Sequence, residues 1–375
     1  MSAHSLSSRH SSQGFSLIEI MVGMVIGLLG IIVIMQVFSV FEGQKRSTTS
    51  GDDAQNDGII SLYGMQKDIA QAGYGINSRK LYGCPLITPI ISLPALAPII
   101  INPKKGTAAA PITGANPLIN AIPADANTDS LLVIYGNSNN VPEGTLISGV
   151  DSINSNYTVE GGAAASGVAG SGGKGFQNGD LVFIDSGNRT SGCNTNPITL
   201  VSYPLYLTSV NNTNTLNVPV AQVPASFAYD AVKAKVDYPT LYNMGPSPRM
   251  LAYAVINGTL GVCNYGGPAA LNCAIAANYT QIASDIVSMR AECSAPAGIR
   301  LVLVARSNQR DPNIITSATG ASPNAPTWGG ATPIVTAAGA LGADVAPNNW
   351  GHYRYKTFET IIPVRNAIWA GAKGC

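Results

Sequence analysis

Charge is scarce in this chain. Charged residues make up 11% of 375, with 21 Lys and Arg against 20 Asp and Glu. A soluble protein usually carries about a quarter. The net charge is +1 and no block of basic residues occurs, so no nucleic-acid contact is expected. Histidine is rarer still: His4, His10 and His352. If the first fourteen residues are removed, a Ser-His-Asp triad or a multi-His metal site would rest on His352 alone. In its loop beside Trp350 and Tyr353, His352 reads as structural. No Cys-x-x-Cys pair occurs, which weakens a zinc or redox reading. There is no phosphate-binding Walker A loop and no Gly-x-Gly-x-x-Gly. Asp125-x-Asn127-x-Asp129 resembles the start of a calcium loop. It has Ser130 where the turn glycine belongs and Gly136 where a bidentate Glu belongs. No catalytic residue, metal or cofactor is therefore nominated, and an enzyme is not expected.

What is abundant points to strands and turns. Gly (40) and Pro (24) are frequent, and so are Asn, Ser, Thr and Ala. The mix suits short strands joined by turns better than a helical bundle. Length allows one large domain or two ordinary ones. Six cysteines stand at Cys84, Cys193, Cys263, Cys273, Cys293 and Cys375. An even number behind a membrane segment fits disulfides in an oxidising compartment, against the alternative of buried thiols. Fifteen pairings are open. Cys263 with Cys273, close in sequence, is the expected pair, and Cys375 is expected to pin the C-terminus to the domain.

The N-terminus carries the strongest pattern. Residues 1–14 are polar, with Arg9 and no acidic residue. Phe15 to Phe41 is apolar except for Ser16, Glu19, Gln36 and Ser39. As a helix this run is ~40 Å long at about 1.5 Å per residue, enough to cross a hydrocarbon core of ~30 Å. It is about twice an ordinary signal-peptide core, and no small-x-small cleavage site follows it. A simple anchor would explain the length but not Glu19. A carboxylate at the centre of a span costs ~2.5–3.5 kcal/mol and marks function when a partner can be named. Cleavage between Gly14 and Phe15 would create that partner, an α-amine one helical turn from Glu19. The amine of the same chain or of a neighbour would offset burial of the carboxylate, and a neighbour's would set axial register.

Gly14-Phe15-Ser16-Leu17-Ile18-Glu19 resembles the prepilin peptidase site of type IV pilins and type II secretion pseudopilins. The resemblance implies that the leader stays cytoplasmic and that cleavage follows Gly14. It also implies that the new N-terminal Phe15 is methylated and that Glu19 guides filament assembly. The expected layout is a leader at 1–14, a membrane and filament-core helix at 15–41, an amphipathic continuation at 42–75 and a β-rich head at 76–375.

Residues 54–72 place Ile59, Leu62, Tyr63, Ile69 and Ala70 mostly three and four apart, an amphipathic helix. Gly43, Gly51, Gly58 and Gly64 are expected to weaken or bend it, and Gly73-Tyr74-Gly75 stops it. Strand patterns follow at 129–135, 179–185, 198–203, 300–305 and 353–364, the last ending near Arg365-Asn366. Met250 to Val262 reads as a hairpin turning at Asn257-Gly258. Residues 281–292 fit a short helix or a strand. Residues 104–127, 160–178 and 316–349 are low-complexity and are expected to be long exposed loops. The fold class is α+β, a long helix packed on an antiparallel sheet.

The head resembles that of PilW-type minor pilins in three segments: Lys67 to Gly75 with Cys84 soon after, Asp285 to Arg290 followed by Arg300 to Arg306, and Ile361 to Asn366. That resemblance implies a minor pilin, a structural subunit that primes assembly of a type IV pilus and sits at or near its tip. Its partners would be the prepilin peptidase, other minor and major pilins through the N-terminal helix, the inner-membrane assembly platform, and a tip adhesin. It would lie in the inner membrane, head in the periplasm, and reach the cell surface in the pilus. A J-type minor pseudopilin of type II secretion is the alternative. A membrane-anchored periplasmic binding or enzymatic domain is a third reading, which predicts that Gly14 and Glu19 are dispensable.

Overall fold

The computed structural model describes residues 14, 16–76, 82–83, 86–87, 92–93, 96–103, 122–138, 144–151, 156–160, 176–177, 179–185, 205–206, 209–210, 215–217, 240–266, 271–319, 324–335, 341–342 and 349–369. The fold is α+β: a long N-terminal apolar helix, α1 (Leu17–Gln71), followed by antiparallel sheets. Its contacts divide the chain into two compact units, Met1–Ser50 and Gly51–Cys375. The expected strands at 198–203 and most of the low-complexity residues 104–127 and 160–178 lie outside the described residues. So do Phe15, Cys84, Cys193 and Cys375.

In chain order the first strands are β1 (Leu86–Ile87), β2 (Ser92–Leu93), β3 (Ile99–Asn102), β4 (Ser130–Tyr135), β5 (Thr145–Asp151) and β6 (Asn156–Val159). Then come β7 (Leu181–Asp185), β8 (Leu205–Tyr206), β9 (Ser209–Val210), β10 (Thr215–Asn217), β11 (Thr240–Gly245) and β12 (Arg249–Ile256). The last are β13 (Thr259–Asn264), β14 (Thr280–Ala283), β15 (Ile286–Ser294), β16 (Gly298–Arg306) and β17 (Tyr355–Pro363). A short helix, α2 (Arg365–Trp369), follows. A five-stranded sheet runs β14-β13-β12-β4-β3 and a three-stranded sheet β15-β16-β17. A seven-stranded sheet runs β8-β7-β11-β5-β6-β10-β9, and β1 pairs with β2 alone.

Within the second unit, the buried stripe of α1 is Ala54, Met65, Ile69 and Ala72, with Leu62 beside it. It packs across two sheets at once. Leu131, Val133, Leu251, Tyr253 and Val255 meet it from the five-stranded sheet, and Met289, Ile299, Leu301, Leu303 and Ile362 from the three-stranded one. The opposite face of the five-stranded sheet buries Leu132, Ile134, Ala252 and Ala254 in a second core with Leu181, Phe183, Tyr242 and Met244. Strand β4 is therefore covered on both faces. That is why its sequence, Ser-Leu-Leu-Val-Ile-Tyr, shows no polar alternation.

The expected hairpin forms between β12 and β13. Asn257 (φ 53) and Gly258 (φ 70) both take positive φ, as a two-residue primed turn requires. The sequence left 281–292 open between helix and strand. It forms strands, β14 and β15, broken at Ser284-Asp285, where Asp285 takes φ 56.

Three expectations need correction. Gly58 does not bend α1 among the described residues; it lets the helix approach β17. A Cβ there would lie 2.1 Å from the Phe358 ring. The last strand ends at Pro363 rather than near Asn366, because Val364 donates to the Ala297 carbonyl (3.0 Å) and the chain then turns into α2. Segment 316–349 is not simply exposed loop. Ile334 and Leu341 are buried with Trp350 against Val287, Val302 and Val304. They cover the face of the three-stranded sheet that α1 does not.

Candidate functional site at the N-terminal helix

The helix begins with Ser16, whose carbonyl accepts the first intrahelical bonds from Glu19 (3.0 Å) and Ile20 (3.2 Å). Glu19 is thus the acidic residue of the first turn, where the helix dipole favours negative charge. Gly14 and Ser16 are exposed, and so is Glu19. From Leu17 to Phe41 the large apolar side chains are also exposed: Leu17 76%, Ile26 64%, Ile34 67% and Phe41 64%. An 18-residue window of this helix reaches a mean hydropathy of 2.8 with none of it buried. By length and composition it can cross a membrane. Such an exposed stretch requires lipid or other apolar helices around it. Within it Glu19 is the single charged side chain before Glu42.

The other end of α1 is fastened to the head. Gly73 (φ 81) and Gly75 (φ 83) close the helix in left-handed conformations. The Gly73 amide donates to the Ile134 carbonyl (2.8 Å), and the Gly136 amide to that of Tyr74 (2.8 Å). The Asn366 side-chain amide donates to the last carbonyls of the helix, Gln71 (3.2 Å) and Ala72 (3.1 Å). One turn back, the Asp68 carboxylate accepts from the Tyr135 hydroxyl (2.6 Å) and from the Tyr253 hydroxyl. Burial raises both tyrosine pKa values, and Asp68 raises them further. Near Gly51, Asp57 accepts from the Ser284 hydroxyl (3.0 Å). The polar residues of this helix are therefore anchors as much as a solvated face. Hydrophobic spacing gives no sign of that.

The two sheets under the helix are tied by a buried ion pair. Arg290 Nη1 meets Asp129 Oδ1 at 2.9 Å with both side chains buried. Asp129 Oδ2 also accepts from the Ala291 amide (3.0 Å). Asp129 is thereby committed, and so is Asp125, whose carboxylate takes the Asn257 (2.9 Å) and Gly258 (2.8 Å) amides of the hairpin turn. The calcium-like spacing in 125–129 thus serves to join loops. His352 Nδ1 lies 2.9 Å from the Asp311 carbonyl and 3.1 Å from that of Asn313, a loop contact. Among the described residues no cluster of His, Cys, Asp and Glu is placed to hold a metal. Cys263 and Cys273 form a disulfide between β13 and the turn before β14, and Cys293 is also disulfide-bonded.

Residues 9–35 match the family model described as the prokaryotic N-terminal methylation motif. No curated protein matches the chain. No solved structure matches it. The matched segment contains Gly14, Phe15 and Glu19 and the first half of the exposed apolar helix. Motif and fold together support a type IV pilin-like protein, a pilin or pseudopilin subunit. The motif implies processing by a prepilin peptidase and association with other pilins. With the apolar helix, it fits a membrane-anchored subunit.

Proposed function

We propose that this chain is a minor pilin that primes assembly of a type IV pilus and sits at or near its tip. The observation that carries the reading is Glu19. It is an exposed carboxylate in the first turn of a helix whose other exposed residues are apolar up to Glu42. In this reading cleavage follows Gly14 and the Phe15 amine is methylated. The amine, its own or a neighbour's, then pairs with Glu19 as the helix leaves lipid for a bundle of similar helices. Lipid tails and helix bundle are equally apolar, so that exchange is driven by packing and by the polar pair. Arg9 in the leader helps hold the N-terminus on the cytoplasmic side.

The three segments that resemble PilW-type minor pilins support the subfamily. Each serves the join between helix and head: Asp68 and Gly73 in the first, Ile286, Met289 and Arg290 in the second, and Ile362, Val364 and Asn366 in the third. A J-type minor pseudopilin would share every N-terminal feature. The test is deletion of the chain in its own cell, followed by counts of surface pili and assays of secreted protein. A minor pilin predicts at least a ten-fold loss of pili, restored by the wild-type chain and not by Glu19→Ala. Normal piliation with a secretion defect would move the chain to the pseudopilins. Loss of neither would overturn both.

A further inference from the structure

The outer edge of β17 is a nine-residue strand paired on one side only. Natural proteins blunt such edges with shortness, bulges, charge or proline, because unpaired amides and carbonyls recruit another strand. Here the ladder with β16 runs from Arg306↔Tyr355 to Gly298↔Pro363 without a register shift. The Arg306 amide donates to the Asp285 carbonyl on the β15 side. By alternation, the odd residues of β16 point to β17 and bond Lys356, Phe358, Thr360 and Ile362. The amides and carbonyls of Thr357, Glu359 and Ile361 then face outward, and none has a backbone partner among the described residues. Charge guards this stretch thinly. Lys356 stands at one end, while Glu359 is engaged by Arg300 Nη1 (2.9 Å) and by the Gly329 amide.

The flanks of the edge are apolar. Ile361 is 51% exposed on the face away from α1. On the helix side Gly58 abuts Phe358. Asp57 and Asp68 reach the opposite way, to Ser284 and to Tyr135 and Tyr253. Leu62 and Ile59 therefore lie on the β17 flank of the helix, where Ile59 is 56% exposed.

We infer that this edge takes up a strand from the head of a different pilin-like subunit, which extends the three-stranded sheet between chains. The inference rests on the proposed function. The occupant is not a second copy paired through its own β17. Antiparallel pairing of identical strands creates a two-fold axis normal to the sheet, which reverses every direction in the sheet plane. Residues 51–71 of the helix pack along that sheet, so the two helices would run in opposite senses. Two chains anchored in one membrane by the same helix end run in the same sense. The fitting partner segment is extended, four to six residues long as an order of magnitude for a strand, with apolar residues facing Ile59 and Leu62. Main-chain bonds supply affinity and the alternate side chains supply specificity.

The test uses the full chain in cells that hold its native set of prepilin-like proteins. A benzophenone amino acid is placed at Ile361, and adducts are identified by mass spectrometry. Thr357→Pro removes an outward amide without touching the β16 ladder, which an edge strand tolerates. Phe358→Pro removes a ladder donor and reports what loss of the sheet looks like. Cleavage after Gly14 and resistance to protease are read in every sample. The expected result is an adduct with a second chain that itself carries a processed, methylated N-terminus. That adduct falls at least ten-fold in Thr357→Pro, while processing and protease resistance stay as in wild type. An adduct only with another copy of this chain overturns the inference, as does no adduct, or one that Thr357→Pro leaves unchanged. Each of those results, with cleavage after Gly14 intact, leaves the proposed function standing. A chain that is not cut there overturns both.

Discussion

Asp68 should be the most costly polar residue of the helix to remove. Its carboxylate accepts from two hydroxyls, those of Tyr135 and Tyr253, which are 7% and 2% exposed. Asp68→Ala leaves both hydroxyls buried without an acceptor. A buried donor stripped of its partner costs about 1–3 kcal/mol, and bonds to a charged group lie in the upper part of that range. Asp68 itself is half-exposed, so water can reach part of the gap and the lower half of the range applies. The sum for two hydroxyls is about 2–4 kcal/mol. Asp68→Asn keeps one carbonyl acceptor, and the second hydroxyl can turn to accept from the amide, so its cost is about 1 kcal/mol. The assay is urea unfolding of the full chain in detergent, with Tyr135→Phe and Tyr253→Phe completing double-mutant cycles. Coupling of each tyrosine to Asp68 should exceed ~0.5 kcal/mol. A stability for Asp68→Ala within about 0.5 kcal/mol of wild type would refute the reasoning. So would Asp68→Asn as damaging as Asp68→Ala.

Further predictions address packing and pH. Gly58→Val should cost roughly 1–3 kcal/mol by overpacking against Phe358, and Phe358→Leu should recover part of the loss in the same unfolding assay. Burial raises the pKa of Asp180, against the lowering pull of bonds from Asn243 and Gln177. The folded state therefore holds this proton more tightly than the unfolded chain. Stability from this group falls as pH rises from the ordinary carboxylate value of 3.8 through the raised folded value. Asp180→Asn should flatten that slope, and an unchanged slope between about pH 4 and 7 would count against the assignment.

Much of this architecture was legible because it depends on local periodicity. The apolar run from Phe15, the stripe through Leu62 and Ile69, and the Asn257-Gly258 turn each signal their structure within a dozen residues. What stayed hidden depends on partners far apart in the chain. Gly58 reads as a helix breaker until Phe358, three hundred residues on, comes to rest against it. Asp68 reads as a solvated position until Tyr135 and Tyr253 arrive from two strands. Asp125 and Asp129 sit at calcium-loop spacing, yet the fold commits one to a turn and the other to Arg290. Residues 281–292 stayed ambiguous because a buried strand shows no alternation, and β15 is buried from Ile286 to Ala291. Ile334 and Leu341 lie amid Ala, Gly and Pro, so no period announced that they cover the three-stranded sheet.

The measurement that bears most directly on the central claim is the mass of the mature N-terminus. Full-length chain is made with and without a prepilin peptidase, alongside Gly14→Ala and Glu19→Ala. The account predicts loss of residues 1–14 and a methylated Phe15 only when the peptidase is present. It also predicts that Gly14→Ala blocks cleavage, while Glu19→Ala is cut but fails to assemble. An intact N-terminus in the presence of the peptidase, or cleavage beyond Phe41, would contradict the account and leave an anchored or secreted β-rich domain.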